Sequence, residues 1–144
     1  MIEKDTIRLL RECDAGIKMG IGSIDDVMEY ASDDKLRSLL SESRAQHEKL
    51  HREIEELLGR FDDEGKDPNP MAKGMSWIKT NVKLAINESD KTIADLITDG
   101  CNMGVKSLEK YLNEYEAADE KSKDITKRLI RIEDGLARNL REYL

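Results

Sequence analysis

The chain contains only two prolines, Pro68 and Pro70, and their placement limits its fold more than any other feature. Proline lacks a backbone donor and clashes with the preceding helical turn, so it interrupts helices and central strands. Residues 1–66 and 71–144 hold none, and each half is free to run as long, unbroken helix. No β-branched or aromatic run alternates at period two, so strands are not expected.

Apolar spacing supplies the helices. Ile7, Leu10, Ile17, Ile21, Ile24, Met28 and Ala31 recur mostly at steps of three and four, with Asp14 holding one seam position. Such a stripe marks one buried helix face. Gly16, Gly20 and Gly22 fall inside it, each costing about 1 kcal/mol of helix propensity. They read as points of close helix approach at a crossing, with a kink as the competing reading. Ser32-Asp33-Asp34 is a polar break suited to a helix N-terminus. A second seam follows through Leu36, Leu40, Ser43, His47, Leu50, Ile54, Leu57 and Phe61. Phe61–Asn69 is the one clear loop, and Pro70 opens a short helix through Met75, Ile78, Val82 and Ala85. After a turn at Asn87–Asp90, a third seam runs through Ile93, Leu96, Ile97, Cys101, Leu108, Leu112 and Tyr115, with Gly100 and Gly104 inside. A break at Ala118-Asp119-Glu120 precedes the last, through Ile125, Leu129, Ile132, Leu136, Leu140 and Tyr143. The expected architecture is a single all-α domain over residues 1–144: a four-helix bundle with an additional short helix, neighbours antiparallel.

Composition narrows the functional classes. Charged residues make up 38% of the chain, aromatics 4%, and the formal net charge is -7. That leaves neither a basic footprint nor stacking rings in number, so no nucleic acid partner is expected. No apolar stretch is long enough for a membrane span, so membrane insertion is not expected either. The N-terminus shows no secretory signal, and Cys13 and Cys101 form no CxxC. A reducing cytoplasmic setting is therefore the expectation. A glycine-rich phosphate loop, a GxSxG elbow and a serine-based triad are all missing from the sequence.

Two features carry possible chemistry. His47-Glu48-Lys49-Leu50-His51 matches HExxH, in which histidines at i and i+4 share a helix face and can hold one metal, with Glu as base. Zinc proteases set that helix against a sheet, and none is expected here. The pair therefore reads as ordinary helix residues or as a metal pair whose third ligand is a carboxylate or Cys. Asp14, Ser43 and His47 occupy seam positions that call for apolar residues, and buried polar groups need partners. In an antiparallel hairpin turning near Ser32, Asp14 and His47 fall at about the same height. They read as a hydrogen bond fixing the register, or as half of a metal site.

The stretches Leu9-Leu10-Arg11-Glu12-Cys13-Asp14-Ala15-Gly16, Arg44-Ala45-Gln46-His47-Glu48-Lys49-Leu50, Trp77 with Lys79, Ile93–Cys101 and Tyr111 together resemble short bacterial ferritin-like proteins of uncharacterised function. The resemblance implies a ferritin-like bundle. Members with a metal centre place a Glu on each of two helices and Glu-x-x-His on each of the other two. Here His47 matches, but Arg44 stands three residues before it and Asp14 replaces the helix-1 carboxylate. The third long helix has no carboxylate from Cys101 until Glu109. The last offers Glu133 and Asp134, with Leu136 where the second histidine belongs. The expectation is a binding or interaction protein without catalysis, its partner being either another helix or a second copy of itself in a homodimer. The alternative is one iron or zinc ion held by Asp14, His47 and His51.

Overall fold

The computed structural model describes residues 2–67 and 89–144. Among them are four long helices, α1 Ile2–Met28, α2 Asp34–Gly59, α3 Ser89–Glu114 and α4 Glu120–Asn139, followed by a 3₁₀ turn at Arg141–Tyr143. No strand occurs among the described residues. The expected short helix over Pro70–Ala85, and Trp77 within it, lies outside them.

The polar breaks cap the helices. The Asp33 carboxylate accepts from the Leu36 amide at 3.0 Å, and that of Asp119 from the Ser122 amide at 2.8 Å. Each satisfies an N–H that the first helical turn leaves without a carbonyl. Asp90, in the first turn of α3, accepts from the Ser32 and Asp33 amides at 2.8 and 3.2 Å and ties the α1–α2 turn to α3. Tyr143 closes the same corner, its hydroxyl donating to Asp33 at 2.6 Å. The last helix is expected to reach Tyr143, but α4 stops at Asn139 and the backbone tightens into the 3₁₀ turn.

Helix directions follow from paired contacts. Between α1 and α2 they descend, with Asp25 to Arg44, Gly20 to His47 and Asp14 to His51. Between α1 and α4 they ascend, from Thr6 with Asp119 through Cys13 with Thr126 to Gly20 near Glu133. Ser32 meets Asp90 while Asp5 meets Ala117, so α3 runs against α1. Helices α2 and α3 thus point the same way and scarcely touch. The helices joined by short turns, α1–α2 and α3–α4, thus run in opposite directions. The long connection between α2 and α3 allows the exception.

The core has two apolar halves. One gathers Ile24, Val27, Leu36, Leu40, Ile93, Ile97, Leu136 and Leu140. The other gathers Leu10, Ile17, Leu50, Ile54, Leu108, Ile125 and Leu129. In every helix a polar or glycine position separates the halves: Gly20 in α1, Ser43 and His47 in α2, Gly104 in α3 and Glu133 in α4. A polar layer crosses the middle of the bundle.

Candidate functional site

His47 is the centre of that layer and is 1% exposed. Its Nδ1 lies 2.7 Å from the Ser43 carbonyl oxygen, which only accepts, so Nδ1 carries a proton and donates it. Its Nε2 lies 2.9 Å from Glu133 Oε1. Burial works against the charged imidazole. The Glu133 hydrogen bond, its negative charge and the Ser43 carbonyl outweigh burial and hold the His47 pKa above its ordinary value. When protonated, the ring donates from both nitrogens and forms an imidazolium–carboxylate pair spanning α2 and α4.

Glu133 also accepts a hydrogen bond from the Cys101 thiol of α3. Burial, and then the Glu133 charge and hydrogen bond, push that thiol's pKa up. Cys101 stays protonated and is a poor nucleophile, because the thiolate is the reactive form. The Ser43 hydroxyl lies 3.5 Å from His47 Nδ1. That nitrogen's proton points at the Ser43 carbonyl, so the ring has no lone pair there to activate the hydroxyl. Gly20 explains how α1 fits: a β-carbon there would lie 3.0 Å from His47 Nε2 and 3.6 Å from Glu133 Oε1. Close approach, one of the two readings of the α1 glycines, thus holds at Gly20. It does not at Gly16, where a β-carbon would meet nothing within 4 Å.

A second network surrounds Asp14, also 1% exposed. Its Oδ1 lies 3.0 Å from His51 Nε2, and its Oδ2 accepts from the Lys66 amide at 2.9 Å and the Lys18 ammonium at 2.8 Å. The residues after α2 are thereby strapped against α1, reinforced by Arg11 with Asp63 at 2.8 Å and by Lys66 with Glu12. Gly65 makes the strap possible. Its φ of +90° suits glycine, and a β-carbon there would fall 2.3 Å from Asp14 Oδ2. His51 also meets Glu55 at 3.0 Å through Nδ1.

The expected partners are therefore exchanged. Asp14 pairs with His51, and His47 pairs with Glu133. Counted from Ser32, Asp14 lies 18 residues back, His47 15 on and His51 19 on, so His51 is the better match in height. The two histidines of HEKLH share a face as expected but serve separate networks. Glu48 turns outward to Arg44 at 2.7 Å. Glu133 sits four residues after Leu129 and three before Leu136, a spacing that fits the seam no better than that of Ile132. That seam position belongs to Glu133, not to Ile132, which is only half-buried.

As a donor set for a metal, these residues are already engaged. Both His47 nitrogens and both Asp14 oxygens are bonded within the protein, and the Lys18 ammonium sits where a cation would approach Asp14. Among the described residues, no three or more His, Cys, Asp or Glu side chains are gathered in a way that would hold a metal ion. Nor is any helix among them long and apolar enough to cross a membrane.

The sequence matches no protein-family model and no curated protein. Among solved structures, the crystal structure of a DUF305 fragment from Deinococcus radiodurans is similar, with a TM-score of 0.76 over 96% of this chain and 93% of that one. Identity between the two is 13%, so what they share is the all-helical fold.

Proposed function

We propose that this chain is a ferritin-like bundle that works by binding a partner rather than by catalysis. Its helix directions support the ferritin-like reading: α1 and α4 run one way, α2 and α3 the other, with one long connection between the middle pair. The observation that carries the binding reading is the closed state of the central layer. His47 bonds to the Ser43 carbonyl and to Glu133, Glu133 also takes the Cys101 thiol, and neither a free imidazole lone pair nor a thiolate is favoured. Buried polar layers of this kind specify register and partner choice in helical assemblies, at some cost in stability.

The alternative, one iron or zinc ion at Asp14, His47 and His51, requires the His47–Glu133 and Asp14–His51 bonds to open first. Metal analysis of tag-free protein separates the readings. A stoichiometric ion that is lost in H47A, or a thermal stability raised by added Fe or Zn, overturns the binding-only reading. Metal-free protein indifferent to both ions supports it.

A further inference from the structure

One face of the bundle departs from the chain's overall charge. Between α2 and α4 lies a groove of about 410 Å³ open to solvent, with Leu39, Leu50, Ile132 and Leu136 along its floor. Its rim carries Lys49, Arg128 and Arg131 against a single carboxylate, Glu42. A second hollow continues it, sharing Leu39 and Asn139 and adding Lys35, Arg138 and Arg141 against Glu142. Some of this charge is matched: Arg128 holds Glu53 at 2.5 Å, and Lys35 holds Glu142 at 2.7 Å. Lys49 shares the Glu53 charge with Arg128, whereas Arg131, Arg138 and Arg141 make no ion pair with a described residue. A chain of net charge -7 thus concentrates unmatched positive charge along one apolar slot.

The shape selects among anionic occupants. From Lys35 to Lys49 the slot follows about 21 Å of α2, the length of a helix of about 14 residues. A slot between two packed helices is also where a third helix seats its ridge. A small anionic amphiphile would want its cations gathered at one end, whereas these are spread along the whole length. A flat membrane surface would not reach the apolar floor, which lies below the basic rim. We propose that the α2–α4 groove docks an acidic amphipathic helix of a protein partner, its apolar stripe on Leu39 and Ile132 and its carboxylates against Lys49, Arg131 and Arg138. This rests on the binding reading above and names its partner class.

The test uses the full chain and a fluorescein-labelled synthetic peptide of about 14 residues. The peptide carries leucines at helical i, i+3, i+4 and i+7 positions and glutamates elsewhere. Fluorescence anisotropy should show saturable binding that weakens as salt rises, and K49E with R131E should weaken it by at least about tenfold. A sibling peptide with lysine in place of glutamate should not bind. Both substituted side chains are exposed, circular dichroism checks the helices, and K49Q with R131Q serves if the reversed pair fails to fold. Equal binding to the variant, or equal binding of the lysine peptide, overturns the groove proposal. So does oleate displacing the peptide completely, or concentration-dependent dimerisation abolished by the same reversal. Those outcomes leave the binding reading standing. A stoichiometric metal in tag-free protein defeats that reading separately.

Discussion

Gly20 on α1 faces His47 on α2 so closely that a single added β-carbon would lie 3.0 Å from the imidazole Nε2. A β-carbon there would be tighter than ordinary van der Waals contact, so the ring would have to give by a few tenths of an ångström. The crossing of these helices and the integrity of the His47–Glu133 bond are one structural fact.

Substitution at two α1 glycines should therefore have opposite signs. G20A gains helix propensity worth up to about 1 kcal/mol, but it crowds a buried ring at an overpacking cost of about 1–3 kcal/mol. A net loss of about 1 kcal/mol is expected. G16A meets open space and should stabilise by about 0.5–1 kcal/mol. Urea unfolding of the two variants decides this, and equal effects would contradict the crossing geometry.

The raised pKa of His47 fixes the sign of one pH dependence. Folding takes up a proton wherever the folded histidine is charged and the unfolded one is not. This contribution is fully present below the unfolded value of about 6.5 and is lost as pH rises through the raised folded value. Across that window stability should fall by at most about 1.4 kcal/mol per pH unit for this one proton. E133Q should lower the His47 pKa and flatten the profile, read by NMR titration of the ring alongside thermal melts. A His47 resonance that titrates at or below 6.5 in the unsubstituted protein would refute the imidazolium assignment.

Asp14 and Gly65 should fail together. G65A strains a positive-φ position and drives into Asp14 Oδ2, so a loss of about 2 kcal/mol or more is expected. D14N leaves Lys18 without its buried partner and should cost about 1–3 kcal/mol. Both should speed limited proteolysis within residues 60–67 while the helices persist by circular dichroism. Unchanged cleavage in both variants would mean that the strap is held by other contacts.

Both thiols should be silent in the folded protein. Burial pushes the Cys13 pKa up to about 12, with a hydrogen bond to Thr126 opposing and the charges of Glu12 and Asp14 adding to it. Cys101 is raised by burial and by Glu133. A thiol reagent at neutral pH should label neither until denaturant is added, and then both. Rapid labelling of Cys101 in the native state would show that the central layer opens readily.

The four long helices and the caps at Asp33 and Asp119 were legible because their causes are local. Proline placement, stripes at steps of three and four, and Asp at positions 33 and 119 act within a few residues of where they stand. The same stripes flagged Asp14, Ser43 and His47 as polar intruders, and all three are buried. Their partners were not legible. Which carboxylate meets which histidine depends on how far one helix slides along another, and one turn of slide moves Asp14 from His47 to His51. Glu133 shows the limit most clearly, because it lies beside Ile132 and either residue satisfies the spacing. Only burial of the α4 face against α2 and α3 chooses between them.

By itself, then, the sequence determined an all-helical chain with one apolar stripe per helix and a few polar residues inside the stripes, since periodicity and capping are properties of each segment alone. The tertiary structure decided that those polar residues form two self-satisfied networks, and that an acidic chain keeps an unmatched basic groove between α2 and α4. Both are set by helix register and packing angle, which arise only when four stripes are fitted against one another at once.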